Sequence, residues 1–371
     1  MTRGVVNVIP EKEGLIKLLK EEKKLNIYFG IDPTATRIHL GHTVPLRKLQ
    51  ALADLGHSVT FLIGDFTALI GDTSDKDSER PVLTSEEIEQ NFKTYRQQAE
   101  KVISFNNITV KHNSEWLGKL SFSEIVKLCQ HFSVGDFVGR ELIKKRLEEG
   151  KRVGLHETLY PVMQGYDSYF LDTDIQVGGP DQTFNMQAGR RLQKDLRNKE
   201  SYVLVTDYLM GTDGRKMSKS WGNAIWIDDE PSNMYGKIMS VRDELIETYF
   251  KLATEVGLES IGKGNPLELK HKLARIIVSE IHGEQSATEA SEQFGNAFQK
   301  GEGDYKREIT MKPTLLETVA QEVGSNAEAK RLIKGGAVDV EEKTVTDPKL
   351  EIMGGERVKI GKKIFVKVKR T

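Results

Sequence analysis

The sequence predicts an α/β protein: a doubly wound, Rossmann-like parallel-sheet domain with a helical insertion, then an all-α domain and a small α+β domain. Three observations carry this. In the first half, short apolar β-rich runs alternate with stretches of helical period, the pattern of βαβ units. Each conspicuous polar or glycine cluster stands just after such a run, and open parallel sheets bind ligands beyond the carboxyl ends of their strands. From residue 230 to about 300 no strand run appears, and apolar residues recur at spacings of three and four.

Taken in order, "LNIYFGID" reads as a buried strand, and "IDPTATRIHLGHTVPLRKLQ" as the loop and helix that follow it. "SVTFLIGD" is a second strand, running into the loop "FTALIGDTSDKDSER". A long helical insertion spans about residues 80–165, where "SEEIEQNFKTYRQQAEKVI" and "FSEIVKLCQHF" are amphipathic at helical period. "DIQVGGPDQ" is a third strand entering a glycine turn, and "SYVLVTDYLM" a fourth. These elements define residues 1–229 as one domain. Residues 230–300 read as a helical domain, 301–312 as a polar linker, and 313–371 as a small domain with two short helices before its strands.

Composition excludes several classes. The chain has 371 residues, a formal net charge of -1 and one cysteine, Cys129. An internal disulfide and a cysteine-rich zinc site are thereby ruled out, and a reducing cytoplasm is the expected setting. The N-terminus shows no signal-peptide pattern, and no apolar run approaches the roughly 20 residues that span a bilayer. Basic residues concentrate in "RVKIGKKIFVKVKRT" at the C-terminus, alternating with Val, Ile and Phe at strand spacing, which makes RNA a candidate partner.

Two stretches carry chemistry. His39 and His42 stand in "HLGH" at the expected start of a helix, with Gly41 between them. Zinc would require further ligands, and neither HExxH nor a second histidine beside "HETLY" supplies them. A helix start instead offers free N–H groups and a positive dipole end to a phosphate. The second stretch is "GTDGRKMSKSWGN". Lys216 and Lys219 flank Ser218 on a glycine-bounded loop, where two lysines can neutralise a polyphosphate during its displacement.

HLGH followed far downstream by KMSKS resembles the signature pair of the class I aminoacyl-tRNA synthetases. "YFGIDPTATRIHLGH", "LIGDTS", "YPVMQGYD" and "VGGPDQ" resemble, in order and spacing, segments of the bacterial tyrosyl-tRNA synthetases, over nearly the whole chain. The resemblance implies that L-tyrosine is activated with ATP and then transferred to tRNA(Tyr). It implies that Tyr28 and Asp167 bind the phenol hydroxyl, that Asp72, Tyr160 and Gln164 hold the α-ammonium, and that Gln182 lies near the carboxylate. Tyr160, Gln164 and Asp167 fall at i, i+4 and i+7, so one helix face can present all three. A phenylalanine would leave the hydroxyl-binding groups unpaired.

For ATP the resemblance implies Gly30, Asp32 and Thr34 on the loop before HLGH, then His39, Gly41 and His42. Gly178 and Asp181 would lie on the nucleoside side, and Lys216, Ser218 and Lys219 at the phosphates. Gly179 would let backbone pass close to the nucleotide. The chain departs from the usual "GGSDQW" at Pro180 and Thr183, which bears on the nucleotide pocket. Pro45 is expected within the first helical turn. No acidic cluster resembles a metal cage, so Mg²⁺ is expected to arrive with ATP rather than in a protein site. Homodimerisation through the insertion is likewise implied by the resemblance.

"SNAEAKRLIKGGAVDVEEKTVTD" resembles the small RNA-binding fold named after ribosomal protein S-four, with Lys330, Arg331 and Lys334 on one side of its helix. Two enzymatic alternatives share parts of the pattern. Tryptophanyl-tRNA synthetases carry both motifs but have no need of the Tyr28/Asp167 pair. Nucleotidylyltransferases use H-x-G-H but need neither KMSKS nor a tRNA-binding appendage. A catalytically silent RNA-binding relative would not need intact motif histidines and lysines.

Overall fold

The structure is a computed structural model that describes residues 3–34, 36–72, 84–262, 264–296, 307–341, 343–361 and 364–369. The chain divides into two compact units, Met1–Gly283 and Glu284–Thr371. The first is built on a six-stranded sheet of β1 (Val5–Ile9), β2 (Asn26–Ile31), β3 (Ser58–Ile63), β4 (Ile108–His112), β5 (Ile175–Gly178) and β6 (Tyr202–Thr206). The strand order is β1-β6-β5-β2-β3-β4. All neighbours pair in parallel except β1, which runs antiparallel along β6.

The four runs read from the sequence are the central strands β2, β3, β5 and β6. They are apolar on both faces because helices cover both. The helix Leu40–Asp54 follows β2 and buries Leu40, Val44, Leu46, Leu49 and Leu52 at helical spacing. The helices Leu155–Phe170 and Thr183–Arg197 pack together around β5. Two strands depart from the expectation. β4 lies inside the stretch 80–165 read as helical, and β1 precedes the first predicted strand. Both are sheet edges. β4 buries only Ile108 fully, and no residue of β1 is fully buried, so neither shows a continuous apolar run.

The chain leaves β2 toward β3 on one side and leaves β5 toward β6 on the other. The order therefore reverses between β2 and β5, and a crevice opens beyond their carboxyl ends.

The stretch 230–300 is split by the division of units. The helices Pro231–Met239, Ile246–Ala253 and Pro266–His282 belong to the first unit, and Glu284–Phe294 opens the second. Of the linker 301–312, residues 301–306 lie outside the described residues. The second unit folds the helices Leu315–Val323 and Asn326–Lys334 onto a sheet of β7 (Glu308–Ile309), β8 (Val338–Val340), β9 (Lys343–Thr344), β10 (Arg357–Ile360) and β11 (Ile364–Val368), in the order β7-β11-β10-β8-β9. Leu315, Val319, Ile333, Val358, Ile360, Val366 and Val368 form its core. Among the described residues no helix is long and apolar enough to cross a membrane.

Candidate active site

The crevice at the β2/β5 reversal is a cleft of about 790 Å³. The structure brings to it Tyr28, Gly30, Asp32, Thr34, His39, Gly41, His42, Asp72, Tyr160, Gln164, Asp167, Gly178, Asp181, Gln182, Lys216, Ser218 and Lys219. These are all the residues singled out for tyrosine, ATP and catalysis. Lys330, Arg331 and Lys334 belong to the second unit, exposed on the helix Asn326–Lys334. Arg331 is paired there with Glu328.

One end of the cleft is a buried polar floor. Tyr28 and Gln176 are register partners on β2 and β5, and the Tyr28 hydroxyl donates to Gln176 Oε1 at 3.0 Å. Gln176 Nε2 in turn donates to the Met186 carbonyl. Asp167 accepts from Trp116 Nε1 at 2.7 Å and from Asn113 Nδ2 at 3.1 Å. Burial raises the Asp167 carboxyl to about 8 against those two donors, and lifts the Tyr28 phenol well above its usual value. Gln176, Asn113 and Trp116 escaped the sequence reading. A polar glutamine within an otherwise apolar strand was the one available signal.

Nearer the middle, Gln182 Nε2 donates to Asp72 Oδ2 at 2.7 Å. Tyr160 donates to Asp32 Oδ2 at 2.8 Å, and Thr67 to Asp32 Oδ1 at 2.8 Å. A Cβ at Gly64 would lie 2.1 Å from Asp32 Oδ1, so glycine there is a steric condition for this carboxylate position. The helix carrying Tyr160, Gln164 and Asp167 is braced at its start. Glu157 accepts the Gly154 backbone N–H and forms a two-pronged pair with Arg146, at 2.7 and 3.0 Å, both side chains being buried.

At the other end, His39 is the N-cap of the helix Leu40–Asp54. The His39 backbone N–H donates to His42 Nδ1 at 3.1 Å. That bond makes Nδ1 the acceptor nitrogen of neutral His42 and leaves its proton on Nε2 as the available donor. The two rings stack at 3.8 Å between centroids. Burial, with the neighbouring Lys216 charge, lowers His42 to about 4. Burial, then His42 and Lys216, lowers His39 to about 2. Both are therefore neutral hydrogen-bond donors near neutral pH. A Cβ at Gly41 would meet His39 Nδ1 at 2.9 Å, which accounts for the small residue between the histidines. Pro45 falls in the second turn rather than the first, so the Gly41 carbonyl loses its helical donor.

The KMSKS loop crosses this end. Asn223, itself buried, accepts from the Ser218 backbone N–H and donates to Asp213 and to the Lys216 carbonyl. Met217 is buried beneath the loop, while Lys216 and Lys219 reach the cleft. Just past the loop, the backbone meets the histidine segment: Leu40 N–H donates to the Ile225 carbonyl and Ile227 N–H to that of Ile38. The departures Pro180 and Thr183 fit the local backbone. Pro180 opens a short 3₁₀ turn, and Thr183 begins the next helix.

The cleft is thus polarised. Asp72 and Asp167 line one part, suited to an ammonium and a hydroxyl, while His39, His42, Lys216 and Lys219 line another, suited to phosphates. A parallel nucleotide-binding sheet with a histidine pair and a lysine loop across its reversal point is the arrangement of a class I synthetase.

The family model "tRNA synthetases class I (W and Y)" matches residues 20–299. The chain is 41% identical to tyrosine–tRNA ligase 2 of Vibrio cholerae over 99% of its own length and 96% of that protein. It is equally 41% identical to the tyrosine–tRNA ligase of Carboxydothermus hydrogenoformans, with the same coverage of each chain. Among solved structures it is similar to a C-terminally truncated mitochondrial tyrosyl-tRNA synthetase of Aspergillus nidulans, with TM-score 0.66 and 25% identity, covering 80% of this chain and 92% of that one. The chain belongs to the class I tRNA synthetases of the W and Y group and, within it, to the tyrosine–tRNA ligase family.

Proposed function

We propose that the chain is a tyrosine–tRNA ligase. It activates L-tyrosine with ATP to give tyrosyl-adenylate and pyrophosphate, then transfers tyrosine to the 3′-terminal ribose of tRNA(Tyr). The observation that carries this is the polarised cleft, in which a buried hydroxyl-reading floor and a phosphate-reading rim occupy one cavity. The tyrosine phenol meets Tyr28 and Asp167, its ammonium meets Asp72, Tyr160 and Gln164, and its carboxylate lies near Gln182.

A carboxylate oxygen attacks the α-phosphorus in line, and the bond to pyrophosphate breaks. Catalysis is positioning and charge stabilisation, with no covalent enzyme intermediate. His42 Nε2–H and His39 donate to phosphate oxygens as charge grows, and Lys216 and Lys219 neutralise the departing pyrophosphate. Gly30, Asp32, Thr34, Gly41, Gly178, Asp181 and Ser218 hold the nucleotide. Mg²⁺ would arrive with ATP and supply charge neutralisation at its phosphates. In the second step the ribose hydroxyl attacks the adenylate carbonyl and AMP leaves.

The enzyme works in the cytoplasm as a homodimer. Support for the dimer comes from the apolar side chains of Phe122 and Leu155, each 82% exposed, and Val134, 71% exposed, all within the stretch 80–165. Residues 230–300 serve the anticodon-stem side, and residues 313–371 bind RNA through Lys330, Arg331 and Lys334. Deleting 313–371 is expected to weaken tRNA affinity and reduce its salt dependence.

The test is amino-acid-dependent pyrophosphate exchange with tyrosine, tryptophan and phenylalanine in parallel. Exchange with tyrosine alone is expected. Exchange with tryptophan alone, or with none of the three, overturns the proposal.

A further inference from the structure

Tyr208 lies two residues past β6, in the cleft wall formed by Asp207 and Leu209. Neither the strand pattern nor the motifs mark it, yet it touches two residues of the phosphate and nucleoside side at once. Its hydroxyl donates to Asp181 Oδ1 at 2.8 Å and accepts from the Asp181 backbone N–H at 2.8 Å. Its ring faces the Lys216 ammonium, 4.2 Å from the centroid, and Lys216 Nζ stands 3.8 Å from Asp181 Oδ2. Tyrosine, aspartate and lysine thus form a closed triangle on the cleft wall. Gly179 belongs to the same arrangement, because a Cβ there would lie 2.7 Å from Asp181 Oδ1, the oxygen that accepts the Tyr208 hydrogen bond.

Each side of the triangle has a physical effect. Asp181 sits in a short 3₁₀ turn that Pro180 opens after a glycine pair. Two hydrogen bonds to one hydroxyl fix both its main chain and its carboxylate. Lys216 is a long side chain that loses much rotamer freedom when ordered. The ring face and the carboxylate confine its ammonium to the cleft wall before any phosphate arrives.

We propose that Tyr208 is a positioning residue with two separable actions: its hydroxyl presents Asp181 to the nucleotide, and its ring holds Lys216 in place for the phosphates. The proposal rests on the reading of the cleft as a tyrosine- and ATP-binding site.

The two actions are separated by two substitutions in the full-length chain. Tyr208→Phe keeps the ring and removes the hydroxyl. The KM for ATP in pyrophosphate exchange should rise about five- to tenfold, the scale of one ordinary hydrogen bond. The rate of adenylate formation at saturating ATP should stay within about twofold. Tyr208→Leu removes the ring as well, and should add a further fall of about two- to fivefold in that saturating rate, the scale of an exposed cation–π contact. Tyr208→Trp, which restores an aromatic face without the hydroxyl position, should recover the saturating rate but not the KM. The dissociation constant for tyrosine, measured by equilibrium dialysis, should be unchanged in all three.

Equal effects of Phe and Leu on both parameters, an unchanged KM in the Phe variant, or parallel loss of tyrosine affinity each overturn the proposal. If the Leu variant does not fold, Tyr208→Met, which also lacks the ring, takes its place beside the Phe and Trp variants. Wild-type protein failing to exchange with tyrosine would instead refute the functional reading, a different outcome from variants that match an active wild type.

Discussion

The Tyr28 hydroxyl donates its hydrogen bond to Gln176, its register partner on the neighbouring strand, and not to Asp167. The three groups at the cleft floor are therefore two separate pairings: a strand-to-strand Tyr–Gln bond and a helix carboxyl held by Asn113 and Trp116. Replacing Gln176 with Leu would strand the Tyr28 hydroxyl in a buried site and remove the side-chain bond to the Met186 carbonyl, which lies inside the helix Thr183–Arg197. A loss of about 1–3 kcal/mol in unfolding free energy is expected from a denaturant titration, with weaker tyrosine binding. A variant as stable as wild type would show that these groups find other partners.

Asp167 gives a pH signature. Its folded-state value of about 8 lies above the ordinary 3.8, so between those values the folded chain holds a proton that the unfolded chain has lost. This contribution to stability is complete below about pH 4 and is lost as pH rises toward 8. The slope is at most about 1.4 kcal/mol per pH unit. Comparing unfolding free energies of wild type and Asp167→Asn from pH 5 to 8 should show that the variant lacks this component. Identical slopes would place the carboxyl in a more solvated setting.

The histidines act in the opposite sense. With His42 at about 4 and His39 at about 2, the unfolded chain takes up protons below about pH 6.5 that the folded chain refuses. Their contribution is complete above 6.5 and is lost as pH falls toward 4. The acid side of the stability curve should flatten in His42→Gln. The rate of adenylate formation should show no imidazole ionisation near 6.5, and a limb there that disappears in His42→Gln would contradict the neutral-donor assignment.

Glu157 does not line the cleft but sits one turn before Tyr160, capping the same helix and pairing with buried Arg146. Glu157→Ala leaves the guanidinium buried without its carboxylate, at a cost of about 3–5 kcal/mol. Thermal unfolding would register this directly. Replacing both residues with apolar side chains should cost less than replacing Glu157 alone.

Much of this was legible in the sequence, for identifiable reasons. The central strands are covered on both faces, so β2, β3, β5 and β6 appear as apolar runs. The edge strands β1 and β4 are half exposed and show no such run. The histidines and lysines were reachable because HLGH and KMSKS are contiguous motifs; the other cleft residues came through the family resemblance those motifs opened, with which the period of the helix of Tyr160, Gln164 and Asp167 agrees. Gln176, Asn113, Trp116 and Tyr208 were not. Each acts on a partner far away in the chain, and no local spacing encodes a contact across the sheet. Pro45 was misplaced by a turn because the helix begins at Leu40, immediately after its histidine cap.

The two hydrogen bonds joining residues 38–40 to 225–227 have a consequence for how this chain tolerates change in length. Backbone contact, and not the long run of residues between them, sets the separation of the histidine and lysine motifs. Insertions or deletions in exposed turns of the intervening helices should leave the phosphate rim in register. A single residue added between Met217 and Ile225 should slide one motif past the other and silence it.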